Sequence, residues 1–324
     1  MKNRPDHFEP PYPSWELNLP PAIWYVQCQV ALQMPSGKRD DLLFSRLAKA
    51  LSLAEGLLHY ERAGYVDPQD AYNDIAIAYW SCEDTMNKWL LKGLSELAVI
   101  TQGKCGVWYE ALAAPRSHFE VSSSLPTADW GLFRHFETCT QRDHAYWGAM
   151  RDRIAAAENN GLSSQLKKLE PLSSIDQSSE EISLPENICM IRTVQGYSVT
   201  SSKERRSYEE KLRPKYEQGV RFLDENPMKS RCLSVRLLRD EKPMRGRPDT
   251  ETIAWFASLV DLENWVHHHR THKAIYTAAQ QHAVCFSPEM HLLLSHEVAV
   301  VPKGKGKAMY KNCHPDTGLM RFLG

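Results

Sequence analysis

Apolar residues recur along the first half of the chain in an order typical of a mixed α+β protein. Continuous or alternating apolar runs, which favour strands, cover residues 23–32, 57–63, 74–80 and 106–113. Residues 40–53 and 84–97 instead place apolar side chains three and four positions apart, which predicts amphipathic helices. The resulting order, β-α-β-β-α-β, is that of a ferredoxin-like module.

The second half of the chain shows the same order. Apolar runs predict strands over residues 187–193, 232–238, 251–257 and 291–301, with a short edge strand near residues 309–313. A charged stretch after Ser202 has helical spacing, with a kink expected at Pro214, and residues 262–279 predict another helix. The sequence therefore predicts an α+β fold of two ferredoxin-like modules.

Residues 159–186 separate the two halves. This segment is rich in Ser, Glu, Gln and Lys and contains no aromatic residue, which is typical of a linker or surface loop. We therefore predict an N-terminal module over residues 1–158 and a C-terminal module over residues 187–324.

Composition narrows the class of protein. The 324 residues include 39 Lys and Arg against 40 Asp and Glu, a balance that argues against broad nucleic-acid or anionic-membrane binding. No apolar run approaches the length of a membrane-spanning helix, and residues 1–13 lack the apolar segment of a secretory signal. The eight cysteines form no CxxC pair, which favours free thiols in a reducing compartment. We expect a cytoplasmic protein, and its nine Trp and thirteen Tyr suit an apolar cavity.

Histidines are the first candidates for chemistry. The densest group comprises His267, His268, His269 and His272. On one continuous helix His269 and His272 lie about 60° apart, so both could face a metal ion. The ordinary alternative for His267 and His268 is a polar helix end, where imidazole complements the helix dipole. A single histidine facing a large aromatic cavity suggests an axial haem ligand instead.

His296 lies inside an otherwise apolar strand. Alternation of side chains puts His296, Val298 and Val300 on one face and Glu297 and Ala299 on the other. A buried histidine without a partner costs about 1–3 kcal/mol, so His296 is hydrogen-bonded, liganded or catalytic. The ordinary alternative is that His296 is a core histidine with hydrogen-bonded ring nitrogens and no catalytic role.

Two further segments place polar groups beside apolar ones. Arg151 and Arg153 point about 200° apart on a helix, so at most one of them faces a given pocket. The alternative is that both arginines are solvated charges on the protein surface. Thr193 places a hydroxyl where a predicted strand ends, a position found in binding sites and also in ordinary turns.

Eight motifs then follow in order between residues 15 and 320: YWSCEDTMNKW, GVWYEALAAP, YWGAMRDRI, NICMIRTVQGYS, SYEEKLRPKYEQGVRFL, LENWVHHHRTHKAIY, HEVAVVP and KNCHPDTGL. With these motifs the chain resembles the haem-containing aldoxime dehydratases, including the phenylacetaldoxime dehydratases. The resemblance implies a barrel-like α+β sandwich of two ferredoxin-like modules around one haem b, and a homodimer.

The resemblance also implies roles for four residues. It makes His272 the axial ligand of the haem iron and His296 the distal acid–base group. It places Arg151 in the distal pocket and gives Thr193 a hydrogen bond to the substrate. Whether Arg151 or Arg153 faces the haem stays open.

Two positions depart from the family pattern. The family usually has Ser where this chain has Thr193, and the added methyl group restricts the side-chain rotamer. The family usually has Pro where Arg270 stands, so the helix around His272 could differ, and His269 is a minor alternative ligand.

The activity implied by the resemblance is dehydration of an aldoxime, R–CH=N–OH, to a nitrile, R–C≡N, and water. The oxime nitrogen would bind ferrous haem, and protonated His296 would give a proton to the departing hydroxyl group. The alternatives are a haem-binding sensor or carrier, a haem peroxidase-like protein on the same scaffold, and a protein whose histidines bind zinc or nickel. The sequence leaves the preference for aryl or alkyl substrates and for E or Z isomers open.

Overall fold

A thirteen-stranded antiparallel sheet dominates the computed structural model, which describes residues 3–101, 103–169, 181–240 and 248–323. The strands are β1 (Trp15–Leu17), β2 (Trp24–Met34), β3 (Leu57–Val66), β4 (Tyr72–Trp80), β5 (Gly106–Pro115), β6 (Phe119–Ser123), β7 (Thr138–Thr140), β8 (Ile182–Ser183), β9 (Cys189–Gly196), β10 (Cys232–Asp240), β11 (Thr250–Phe256), β12 (Leu293–Val300) and β13 (Gly306–Lys311). Their order across the sheet is β7-β1-β6-β12-β9-β11-β10-β3-β4-β2-β5-β13-β8.

Helices cover the sheet on both sides of the molecule. They are α1 (Asp41–Ser52), α2 (Glu83–Thr101), α3 (Ala149–Arg153), α4 (Ser202–Ser207), α5 (Arg213–Glu225), α6 (Pro227–Ser230), α7 (Leu259–His268), α8 (Arg270–Phe286) and α9 (Met320–Leu323). The predicted α+β class is confirmed. Across the described ranges, no helix combines the length and apolar character that crossing a bilayer requires.

The predicted strands and helices of both halves are present, with ends that differ by a few residues, except for one predicted helix described below. Strands of the N-terminal half lie in the order β5-β2-β4-β3, and those of the C-terminal half in the order β12-β9-β11-β10. A short pairing of β10 with β3, at Arg239 with Gly64 and Asp240 with Ala63, joins the two halves into one sheet.

The inner faces of the two sheet halves pack against each other. Ile75 and Tyr79 from β4 share one buried cluster with Met190 from β9 and Trp255 from β11. Tyr79 also donates a 2.6 Å hydrogen bond to Glu297 on β12. Burial of these large side chains from both halves is the main apolar contribution to their association.

Helices α1 and α2 cover the outer face of the N-terminal half, and α5, α7 and α8 cover that of the C-terminal half. Helix α8 packs tightly on α5 at Gly219. Any side chain there would clash, since an added Cβ atom would lie 2.6 Å from Ile275 Cδ1. The space between α8 and the sheet is where the candidate site lies.

The single helix predicted over residues 262–279 is wrong. The structure has two helices, because His269 adopts an extended backbone with φ −82° and ψ 135°. His269 Nδ1 lies 2.8 Å from Thr271 Oγ1, and the ring stacks on Phe222 with 3.8 Å between centroids. His269 therefore caps α8, and the argument that it shares a helix face with His272 fails.

The helix after Ser202 is interrupted as expected, but in a different way. A π-helical turn over Tyr208–Leu212 joins α4 to α5, and Pro214 lies in the first turn of α5. A proline is tolerated there because its missing N–H needs no acceptor within the helix.

Four short strands, β1, β6, β7 and β8, were not predicted because two to five residues are too few to show a periodic pattern. Part of the predicted linker, residues 170–180, lies outside the described residues. Its described parts contribute Leu162, Leu169 and Leu184 to buried clusters.

Candidate active site

A cavity of about 330 Å³ lies between α8 and the outer face of the C-terminal sheet. Its walls come from β6, β9 and β12 on one side and from α7 and α8 on the other, with residues 144–150 along an edge. The aromatic side chains that line it are Tyr12, Tyr146, Trp147, Tyr216, Trp265 and Tyr276. The aromatic-rich composition thus serves an apolar cavity as well as the core.

One face of α8 forms the helical wall of this cavity. His272, Ile275, Tyr276, Ala279 and Ala283 all line it, and each lies three or four residues from another member of the set. Because α8 begins at Arg270, after the break at His269, these residues face the cavity. The break therefore determines that His272 points toward the sheet.

His272 is neutral and has no competing partner for one ring nitrogen. Its Nδ1 atom is buried without a hydrogen-bond partner in the described structure. The rings of Trp265 and His272 pack edge to face, with 4.7 Å between their centroids. Burial is the main cause that lowers the pKa of His272 to about 4; a backbone hydrogen bond with Val266 opposes it, and the charges of His267 and His296 add to it. A neutral imidazole is the form that ligates iron, so His272 is suited to hold a haem iron.

The sheet wall places three polar side chains in one row. In the antiparallel register His296 on β12 lies opposite Thr193 on β9 and opposite Ser122 on β6. Side chains of directly opposed residues share a face of the sheet, and all three line the cavity. The structure therefore brings Thr193 and His296 to the same cavity as His272.

The predicted alternation along β12 is also confirmed. Val298 and Val300 pack in the cluster beneath α7, on the same face as His296. Glu297 faces the opposite side, where Tyr25 donates a 2.7 Å hydrogen bond to it.

Glu120 and Arg153 hold His296 in place. His296 Nε2 lies 2.9 Å from Glu120 Oε1 and 3.2 Å from Arg153 Nη2. Arg153 donates to Glu120 Oε2 at 2.8 Å and to the carbonyl oxygen of Asp143 at 2.7 Å. The three side chains form a closed cluster at the cavity wall, hereafter the Glu120–Arg153–His296 cluster.

The charges of this cluster compensate one another. Burial acts to raise the pKa of Glu120, but the positive charges of Arg153 and His296 outweigh it and bring the value to about 2. Glu120 is therefore a carboxylate at neutral pH.

Arg151 points away from the cavity. Its Nε atom donates to Glu263 Oε1 at 2.8 Å, and Nη1 donates to the carbonyl oxygen of Ala157 at 3.0 Å. Arg153, two residues along α3, lines the cavity instead. The prediction that only one arginine faces the pocket is confirmed, but the structure brings Arg153 rather than Arg151 to His296.

Glu120 is the functional side chain that sequence reasoning missed. It lies on the five-residue strand β6, and its partners are 33 and 176 residues away along the chain. A buried glutamate in FEVSS carries no local signal of its own. Only the pairing of β6 with β12 brings it to His296.

The remaining histidines of the run have other surroundings. His267 and His268 end α7, as the polar-helix-end alternative proposed, and the His267 ring lies 5.4 Å from that of Trp147. In the ranges that the structure describes, no three His, Cys, Asp or Glu side chains converge as ligands of a bare metal ion. Among those residues, the zinc or nickel alternative therefore finds no ligand cluster that supports it.

Comparisons with known proteins agree with this arrangement. A family model described as haem-containing dehydratase matches residues 25–319. The chain is 31% identical over 334 residues to the phenylacetaldoxime dehydratase of Bacillus sp. (strain OxB-1), covering 100% of this chain and 95% of that protein. It is 25% identical over 335 residues to the aliphatic aldoxime dehydratase of Rhodococcus erythropolis, covering 98% and 92%.

Solved structures show the same fold. A crystal structure of an aldoxime dehydratase superimposes with a TM-score of 0.86 at 23% identity, covering 100% of this chain and 95% of that one. An aldoxime dehydratase in complex with butyraldoxime gives a TM-score of 0.86 at 24% identity, with 100% and 93% coverage.

Proposed function

The chain belongs to the haem-containing dehydratase family, and on that premise we propose that it dehydrates aldoximes to nitriles, R–CH=N–OH → R–C≡N + H₂O. The observation that carries the proposal is the Glu120–Arg153–His296 cluster beside Thr193, facing His272 in one aromatic cavity. This arrangement offers one iron ligand and one proton donor on opposite walls.

His272 would hold the haem, because its neutral imidazole and its place on the cavity face of α8 suit an iron ligand. A bound ferrous haem would supply an electron-rich iron able to weaken the N–O bond of the oxime. Aromatic residues around the cavity exclude water from this centre, which strengthens electrostatic interactions within it.

His296 acts first as a general acid and then as a general base. Its Nε2 atom is held by Glu120, and Nδ1 has no hydrogen-bond partner among the described residues, while the side chain is 31% exposed. We assign delivery of the proton to Nδ1, from which it passes to the departing hydroxyl group to form water. The same atom then accepts the proton lost from the oxime carbon, which restores the protonated imidazole. General acid–base catalysis of this kind contributes about 10²- to 10⁴-fold.

Arg153, rather than Arg151, is the distal arginine in this proposal. It neutralises the buried carboxylate of Glu120 and thereby fixes the orientation of the His296 ring. Thr193, directly opposite His296 in the sheet, hydrogen-bonds the oxime hydroxyl and holds it toward the imidazole. The Thr193 hydroxyl performs the task of the usual serine.

The test is to reduce the haem-loaded protein with dithionite, add phenylacetaldoxime, and measure phenylacetonitrile by gas chromatography. We expect nitrile with the reduced protein and little with the oxidised one. A bound haem without nitrile would support a sensor or carrier. Turnover that needs peroxide would support a peroxidase-like enzyme.

The finer architecture is part of the same proposal. Each half has the order β-α-β-β-α-β and the spatial strand order of a split βαβ unit, which supports two ferredoxin-like modules, 1–158 and 187–324, joined by residues 159–186. All eight cysteines are free thiols, which supports a reducing, cytoplasmic location. A homodimer follows from the family resemblance and is tested by light scattering after gel filtration.

A further inference from the structure

Gln195 lies next to the proposed substrate position on the same wall of the cavity. It follows Thr193 by two residues on β9, so both side chains point to the same face of the sheet, about 6.6 Å apart along the strand. Gln195 lines the cavity, and its cross-strand partner on β12 is Leu294, two residues before His296.

The Gln195 amide is anchored at one end and free at the other. Its Oε1 atom accepts a hydrogen bond from the Tyr208 hydroxyl, which fixes the orientation of the amide. The residue is only 2% exposed, and its Nε2 atom has no acceptor in the parts of the chain that the structure describes. Donors in such enclosed positions are normally satisfied, and the open side here is the cavity.

The cavity extends from His296 toward Gln195, and in the opposite direction its sheet wall reaches Ile191. On the far side of His296, Val298 and Cys189 are packed in the buried cluster beneath α7. On the near side, most lining side chains around Gln195 are apolar, and they comprise Leu212, Tyr216, Met290 and Leu294. Ser124 also lines this part, but its hydroxyl group is engaged by the backbone of Leu292 and Leu294. An apolar lobe with one hydrogen-bond donor at its wall is a typical arrangement for recognising a largely apolar group with one acceptor.

We propose that Gln195 determines specificity by donating a hydrogen bond from Nε2 to an acceptor at the far end of the aldoxime side chain. This inference rests on the proposed dehydratase activity and names its substrate class. The favoured substrates are arylacetaldoximes that carry an uncharged acceptor, such as an ether oxygen, at the para position. Thr193 holds the oxime end of the substrate, and Gln195 hydrogen-bonds the other end of the same molecule.

The test compares 4-methoxyphenylacetaldoxime with 4-ethylphenylacetaldoxime, which match in size but differ in the acceptor. Each assay also includes unsubstituted phenylacetaldoxime. The readout is the methoxy-to-ethyl ratio of kcat/KM, because a ratio cancels general effects on folding or haem content. We expect the wild-type protein to prefer the methoxy substrate by about two- to tenfold, the effect of one net hydrogen bond.

Two variants remove the donor in different ways. Gln195→Leu removes both polar ends of the side chain, whereas Gln195→Glu keeps an acceptor for the Tyr208 hydroxyl and replaces the donor. We expect both to bring the ratio to one or below. Gln218→Leu is the matched control, because Gln218 is exposed on α5, and it should leave the ratio unchanged. Dissociation constants of the two aldoximes, from absorption titrations in a His296→Ala background, should show the same preference.

The outcomes separate the two proposals. Nitrile from phenylacetaldoxime together with a wild-type ratio near one, or a ratio that survives Gln195→Leu, refutes the role of Gln195 alone. Loss of haem in Gln195→Leu with an unchanged ratio means that the amide faces the cofactor, which also overturns the inference. Absence of nitrile from all three aldoximes refutes the dehydratase assignment and the inference with it.

Discussion

Replacing Arg153 with leucine should stop proton transfer while leaving the haem bound. Arg153 donates to Glu120 at 2.8 Å and lies 3.2 Å from His296, but it makes no described contact with His272. The leucine keeps the apolar part of the side chain and removes the charge and all donors. The variant therefore separates the distal cluster from the iron ligand.

The size of the effect follows from the burial of Glu120. This carboxyl group is 2% exposed, and burial is the largest influence on its pKa, opposed by Arg153 first and His296 second. Removing one partner of a buried ion pair costs about 3–5 kcal/mol, because the other charge stays uncompensated. Glu120 then takes up a proton or moves, and His296 loses its orientation. Because His296 then no longer acts as an oriented acid and base, we expect kcat to fall by about 10²- to 10³-fold, within the range that general acid–base catalysis contributes.

The assay is nitrile formation by the reduced protein, with the Soret band as the measure of haem content. Arg151→Leu is the matched control, because Arg151 pairs with Glu263 outside the cavity, and this variant should lower thermal stability but change kcat by less than about threefold. Arg153→Lys should recover part of the activity, since it restores the charge without the forked donors. A full-activity Arg153→Leu protein, or a collapse of kcat in Arg151→Leu instead, would refute the assignment.

Three other results are expected from the same site. His272→Ala should lack a Soret band after expression with haem supply, whereas His296→Ala should keep the band and bind aldoxime without turnover; turnover by the latter would exclude its acid–base role. Thr193→Val should lower kcat/KM by about tenfold and Thr193→Ser by much less, because only the first removes the hydroxyl; equal losses would point to packing. Since the pKa of Glu120 lies at about 2 in the fold against an ordinary 4.5, its charge stabilises the protein above pH 4.5, and this stabilisation is lost as pH falls toward 2. In urea titrations, the free energy of unfolding of Glu120→Gln should fall by roughly 3 kcal/mol less than that of the wild type between pH 4.5 and 2. An equal fall in both proteins would contradict the pairing of Glu120 with Arg153 and His296.

Periodicity was sufficient for most elements of this fold. The apolar alternation around His296 correctly assigned Val298 and Glu297 to opposite faces, because the two-residue repeat of a strand is a purely local property. Helical spacing likewise showed that Arg151 and Arg153 diverge. It could not show which of them faces the cavity, since that depends on where Glu263 and Glu120 lie in the folded molecule.

The break at His269 was beyond the reach of local pattern. Residues 262–279 have continuous helical spacing, and none of them is a proline or glycine that would mark an end. The interruption depends on Phe222, which stacks on the His269 ring from α5, and on the hydrogen bond to Thr271. The packing of α5 against His269 thus determined where α8 begins, and with it which helix face, including His272, is directed into the cavity.

The order of strands and helices and the family motifs were therefore available from the chain alone, because each depends on the spacing of nearby residues. The pairing of His272 with His296 at one site was implied only by the family resemblance. The Glu120–Arg153–His296 cluster and the open donor of Gln195 were not available from the chain. They exist because β6, β9 and β12 become neighbours in the sheet, and the low polarity of the buried site makes the resulting contacts strong. Long-range strand pairing, which no local pattern records, turned three separate segments into one chemical site.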